Sequence, residues 1–337
     1  MTHRLLVLVA LAAFVAPTAS AQYAGAFARM GVGARAAAMG GGQTADVFGG
    51  ASAYFNPALA PFAPAQAFEL TAGLLSFDRQ LQHLQFSTPL RPRAGIAGGV
   101  LHAGVSDIDG RDGSGYHTED YSTDEYGFFV AFGTRMSDRL SAGLGLRFYR
   151  NDLFEGVDAA QTLGLSLGLA ARLSESVALG LAVDDLLARY AWDTSEIGGG
   201  TTTDRFPIRV RVGAAAQLLQ GRLTVTAEAE GQMRQAETRT TTVEPVSGTP
   251  VVTTTTEDLT LAGAQVRVGG EYWLVEPFGV RVGYDRLGDG SFGEAAPSAG
   301  FALRQRVGTL QARLDYAAIY EAAAGAAVHL VTLRVEL

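Results

Sequence analysis

Leu223-Thr224-Val225-Thr226-Ala227-Glu228-Ala229-Glu230 decides the fold: apolar side chains take every odd position and polar ones every even position. A strand sends successive side chains to opposite faces, so this octet makes one greasy face and one face bearing two carboxylates. The pattern recurs. Leu140, Ala142, Leu144, Leu146 and Phe148 oppose Ser141, Arg147 and Tyr149. Ala262, Ala264, Val266, Val268 and Tyr272 oppose Gln265, Arg267 and Glu271. Arginine and glutamate on the polar side require a wet or ion-paired interior.

From Gln66 to Leu337 the chain divides into fourteen such segments: 66–76, 79–89, 94–105, 124–136, 139–150, 160–173, 176–187, 205–219, 221–233, 259–273, 276–286, 295–304, 307–319 and 325–337. Alternation alone also fits a soluble sandwich. The connections separate the two. Tight turns such as Ser137-Asp138, Ser174-Glu175 and Gln305-Arg306 take turns with the longer stretches 106–123, 151–159, 188–204, 234–258 and 287–294. Short turns at one end and long loops at the other predict an all-β, antiparallel transmembrane barrel. The exception is the first connection, Phe77-Asp78, short where a long one is due. Loop 234–258, with threonine runs 240–242 and 253–256, is expected to form a hairpin above the membrane. Aromatics near strand ends, among them Tyr126, Tyr149 and Trp273, suit interfacial girdles.

The leading residues carry an export signal. Arg4 precedes an apolar run, Leu5 to Val15, too short to span a bilayer as a helix, and Ala19-Ser20-Ala21 supplies a cleavage site. The expected organisation is a signal peptide over 1–21, a plug segment over 22–63 and a barrel over 64–337 in the cell outer membrane. Removing the signal, with one Arg and no acid, takes the net charge from −8 to −9. Such acidity argues against nucleic-acid and anionic-lipid partners. Every basic residue is Arg, and the absence of Cys excludes disulfides.

Residues 22–63 do not alternate, and they are too apolar and too poor in charge to be comfortable as a tail in water. A barrel of this strand number has room for them inside. Gly33-Ala34-Arg35-Ala36, Met39-Gly40-Gly41 and then Tyr54-Phe55-Asn56-Pro57-Ala58 resemble the opening of PorV/PorQ-type outer-membrane proteins, of the FadL-like superfamily. The resemblance implies a barrel of fourteen strands with an N-terminal hatch in its lumen, Asn56-Pro57-Ala58 forming the hatch turn. It also implies two kinds of task. One is type IX protein secretion or surface attachment, with secretion-system proteins and cargo C-terminal domains as partners. The alternative is passive transport of small hydrophobic molecules, as in FadL types. Polar loops 106–123 and 151–159, and the lack of apolar loop helices, favour secretion in this reading.

The third strand carries Gly98-Gly99, which would permit the kink that in FadL-like barrels opens the wall sideways; small residues facing the hatch explain them equally well. Asp107, Asp109 and Asp112 have calcium-loop spacing but lack a closing bidentate acid unless Glu119 or Asp120 folds back, so the loop reads as solvated and acidic. Asp184 and Asp185, adjacent on a strand, should face opposite ways. Gly198-Gly199-Gly200 and Gly288 to Gly293 do not sit between a strand and a helix, as a phosphate cradle would. No cofactor is implied, and the four histidines left after signal removal, His83, His102, His117 and His329, are scattered with no nucleophile motif, which argues against an enzyme.

Overall fold

The computed structural model describes residues 24–29, 31–49, 52–153, 158–193, 201–234, 237–243, 250–256, 260–288 and 294–337. The signal assigned to 1–21 lies outside them, as do Gly198-Gly199-Gly200 and Asp289 to Gly293. Strands β1 (Ala67–Leu74), β2 (Arg79–Leu90), β3 (Ala94–Arg111), β4 (His117–Arg135), β5 (Leu140–Asp152), β6 (Ala160–Arg172) and β7 (Val177–Leu186) make half of a cylinder. After a short hairpin of β8 (Arg189–Asp193) and β9 (Thr201–Arg205) come β10 (Ile208–Leu218) and β11 (Leu223–Arg234). A second hairpin, β12 (Glu237–Val243) with β13 (Pro250–Thr256), precedes β14 (Thr260–Val275) and β15 (Phe278–Gly288). The last strands are β16 (Ala296–Val307), β17 (Leu310–Glu321) and β18 (Ala326–Glu336).

Fourteen of these strands pair antiparallel in a ring, closed by β1 against β18 from Ala67↔Glu336 to Leu74↔His329. A closed ring leaves no edge of unpaired N–H and C=O groups, the condition for crossing lipid with strands. The faces are inverted relative to a soluble protein. Outward-facing Val130 and Val212 are each 55% exposed, whereas Arg281 and Thr71 point inward at 1% and 0%. Leu144, Leu146, Leu163 and Leu333 extend the apolar belt. No helix among the described residues is long and apolar enough to cross a membrane.

Three expectations are corrected. Residues 106–123 are mostly strand: β3 continues to Arg111 and β4 begins at His117, past a register shift between Val105 and Ile108. The β-branched and aromatic residues Thr118, Tyr121 and Thr123 carry this ladder beyond the apolar belt. Tyr149 belongs to no girdle; it is buried in the lumen. No break in pairing marks Gly98-Gly99: the β2–β3 and β3–β4 ladders both run through these residues without a shift. A Cβ at Gly99 would crowd the Phe129 ring and the Leu84 carbonyl, so this glycine makes room for an inward aromatic side chain. The threonine-rich stretch does pair as a hairpin, Glu237↔Thr256 to Val243↔Pro250.

Candidate functional site

The lumen holds the N-terminal residues. Helix α1 (Ala34–Ala38) and a 3-10 turn (Pro57–Phe62) are buried throughout. Four glycines explain how the turn fits. Gly95, Gly133, Gly143 and Gly168 lie directly opposite one another on β3, β4, β5 and β6. A side chain at any of them would collide with residues 56–60, so the row is a groove in the wall for the Asn56-Pro57-Ala58 turn. Asn56 caps that turn: its Oδ1 accepts from Ala58 N–H at 3.0 Å, while its Nδ2 donates to the Thr44 carbonyl (2.8 Å) and the Leu169 carbonyl (3.0 Å). Ser141 donates to the Ala58 carbonyl at 2.8 Å. Across the barrel a second pair, Gly269↔Gly283, receives Met39 and Gly40. Gly40 itself has φ +66°, a conformation only glycine takes freely. Gly33 (φ +82°) precedes α1, Gly41 (φ +81°) follows it, and Ala34 N–H donates to Thr332 Oγ1 at 2.8 Å.

Charge fixes the segment further. Arg35 donates to Glu271 (3.0 Å), Asp46 (2.6 Å) and Gln43 (2.9 Å). Glu271 is shared with Arg281 (2.7 Å), which reaches Asp315 (2.8 Å), which in turn pairs with Arg313 (2.9 Å). Charges withdrawn from water in this way are tolerated only when each meets an opposite charge and a hydrogen bond. Across the lumen, Arg147 donates to the Tyr54 carbonyl at 2.6 Å and Arg211 to the Phe55 carbonyl.

Behind these arginines stand Asp184 and Asp185, both buried and both on the lumen side. This corrects the expectation that they face opposite ways. Two residues of β7 oppose the single Ser166 of β6, and Asp185 adopts φ +63°, a bulge that turns successive carboxylates inward. Asp184 pairs with Arg147 (3.1 Å) and Arg211; Asp185 pairs with Arg209 (3.0 Å) and accepts from Tyr149 OH (2.7 Å). A matching bulge at Asp285-Arg286, with Arg286 at φ +59°, brings Asp285 to Arg267 at 2.8 Å.

Above the segment, on the long-loop side, is a cavity of about 450 Å³. Its floor includes Gly40, Gly41, Tyr54 and Phe55. One wall is mainly apolar, with Leu75, Leu81, Ile319 and Leu330 beside the Arg79–Glu321 pair (2.6 Å); the other carries Arg147, Arg209, Arg211, Arg267 and Glu230. Arg147 and Arg211 meet Asp184 and the carbonyls of Tyr54 and Phe55, Arg209 meets Asp185, and Arg267 meets Glu228, Glu230 and Asp285, so the pocket is two-faced.

The calcium candidates separate. Asp112 caps a turn by accepting from Ser114 N–H (2.8 Å) and Tyr116 N–H (3.0 Å), and Asp107 accepts from Ser106 Oγ (3.1 Å). Asp109 instead meets His117 (2.8 Å) and Arg111, with Asp120 nearby.

The geometry defines the class: a closed fourteen-stranded membrane barrel of FadL-like fold. The toluene transporter TodX of Pseudomonas putida superposes with a TM-score of 0.58 over 90% of this chain and 96% of its own, at 13% identity. The toluene transporter TbuX of Ralstonia pickettii gives 0.57 over 90% and 97% at 14% identity, and a Pseudomonas aeruginosa FadL homologue 0.55 over 90% and 97% at 11%. Two of these neighbours, TodX and TbuX, are named as toluene transporters. No family model and no curated protein matches the chain, so the likeness to PorV/PorQ proteins rests on residues 33–58 alone.

Proposed function

We propose that the protein is an outer-membrane channel admitting small hydrophobic molecules passively, with residues 22–63 as its hatch. The observation that carries this reading is the cavity at the long-loop end of the lumen. Its apolar wall of Leu75, Leu81, Ile319 and Leu330 suits a molecule with little to offer water, and it opens above a floor made by the hatch. A pocket of this size that joins an apolar wall to placed polar groups is of the kind small molecules use. The fold supports the same reading, since neighbours of this fold carry toluene as their named substrate.

Type IX secretion or surface attachment is the second reading, and its support is the motif wording of Gly33 to Ala58. The structural neighbours favour transport over it. The location follows from the apolar belt and from the export signal expected over 1–21. Extraction in mild detergent, followed by mass spectrometry of what co-purifies, tests both readings. A retained hydrophobic small molecule supports the channel. Secretion proteins or cargo C-terminal domains, with no such molecule, would count against it.

A further inference from the structure

The two walls of the luminal cavity meet along β16. Ser298 on that strand pairs directly with Ile319 of the apolar wall and, on its other side, with Gly283 of β15, the neighbour of β14 and its Arg267. Two side chains lining the cavity keep a polar atom to which no described residue offers a hydrogen bond: Ser298 Oγ and Gln265 Oε1. Both residues are deeply buried, Ser298 at 8% exposure and Gln265 at 5%. A buried polar atom without a partner carries its full desolvation cost, so a ligand that meets it gains more than one that only fills space.

The groups around these atoms select the kind of ligand. Gln265 stands directly opposite Glu230, whose two carboxylate oxygens already accept from Arg267 (2.7 Å) and Gln232 (3.1 Å). The unmet atom of Gln265 is an acceptor and requires a proton donor. A hydrocarbon has none. A carboxylate has none either, and beside Gln265 it would lie next to the like charge of Glu230. An ammonium would gain Glu230 only by displacing Arg267, which also holds Glu228 and Asp285. A neutral hydroxyl can donate to Gln265 Oε1, and Ser298 Oγ can donate to a hydroxyl or accept from one. Leu75, Leu81 and Leu330 remain for an apolar body.

We propose that the cavity selects neutral hydrophobic molecules bearing a hydroxyl, small apolar alcohols and phenols, over hydrocarbons and over acids, with Gln265 and Ser298 as the specificity-determining residues. The inference deepens the channel reading and rests on it for the passage of what is bound. Equilibrium dialysis of the full chain in mild detergent tests it with three probes of similar size, p-cresol, toluene and p-toluate, at pH 7, where a phenol is neutral. Val328→Trp protein, its cavity filled from β18, measures what the micelle alone takes up. Above that background, p-cresol should be retained about tenfold better than toluene, and p-toluate least of the three. In Gln265→Met/Ser298→Ala the preference for p-cresol should vanish while toluene stays bound. Heat-dependent electrophoretic mobility shows that each variant is folded; should the double variant fail, Ser298→Ala, which removes one atom, should lower the preference about threefold. Equal retention of p-cresol and toluene, retention of p-toluate above p-cresol, no retention above the Val328→Trp background, or an unchanged preference in a folded variant would overturn the proposal. Toluene uptake by cells without the p-cresol preference would leave the channel standing and sink only this assignment; the preference without any uptake would do the reverse.

Discussion

The side-chain oxygen of Asn56 occupies the space that a Cβ on Gly168 would need. The Asn56-Pro57-Ala58 turn and the wall are thus cut to one another, and the cut is made by absence: four glycines in register on four strands. Gly168→Ala should cost about 1–3 kcal/mol, the ordinary penalty for forcing atoms into a packed site. Denaturant unfolding in detergent measures it. Gly113→Ala, at a glycine with open space around it, should be close to neutral, and equal costs at the two positions would contradict the groove.

Arg35 and Glu271 form a buried pair at 3.0 Å. Removing either partner leaves the other charge stranded, so Arg35→Met or Glu271→Met should each cost about 3–5 kcal/mol. The double substitution should cost clearly less than the two single losses together. A double-mutant cycle on thermal unfolding reads this coupling. Additivity would mean that the pair does not act as a unit, even though Arg281 also holds Glu271.

Asp185 combines a positive φ with a carboxylate that two partners use. Asn tolerates this backbone and keeps a polar group, whereas Val does neither, so the two changes separate the roles. Asp185→Asn should cost about 1–3 kcal/mol through the weakened bonds to Arg209 and Tyr149. Asp185→Val adds backbone strain to the lost carboxylate and should be the worst tolerated. Melting temperatures in the order wild type, Asn, Val check this; a Val variant as stable as the Asn variant would remove the bulge argument.

At the tip of the β3–β4 hairpin, the hydrogen bond to Asp109 holds the His117 imidazole above its usual range. Bonds from His117 and then Arg111 hold Asp109 below the usual carboxylate range. The raised His contributes fully below about pH 6.5 and fades as pH climbs through its folded value; the lowered Asp contributes above about pH 3.9 and fades as pH falls through its own. Hydrogen exchange at residues 109–117, corrected for intrinsic rates, should be slowest between these limits and faster near pH 8. His117→Gln should flatten the alkaline arm of that profile.

Much of the architecture was legible in residue order. Strict alternation, as in Leu223 to Glu230, needs only the two-residue period of a strand, and the inverted faces follow once Arg and Glu must avoid lipid. What stayed hidden depends on register. Gly95, Gly133, Gly143 and Gly168 are ordinary strand glycines until pairing sets them side by side. Asp184 and Asp185 defeated the alternation rule because one left-handed residue shifts every later side chain by a face. Thr118 to Thr123 read as loop because their alternation is polar on both sides, which lipid forbids but the space above it allows. The choice between Arg267 and any other arginine as partner for Glu228 and Glu230 is likewise three-dimensional.

If hydrophobic molecules enter by way of the luminal cavity, initial uptake rates show it most directly. Labelled toluene and labelled sucrose are offered to cells of an outer-membrane host stripped of its own barrels of this fold. The host carries the wild-type chain or Val328→Trp, a substitution that fills the cavity from β18. Toluene entry should rise with the wild type and fall back with the Trp variant at matched folded levels, while sucrose stays flat. Equal stimulation of both solutes, or no difference between wild type and Val328→Trp, would contradict the account.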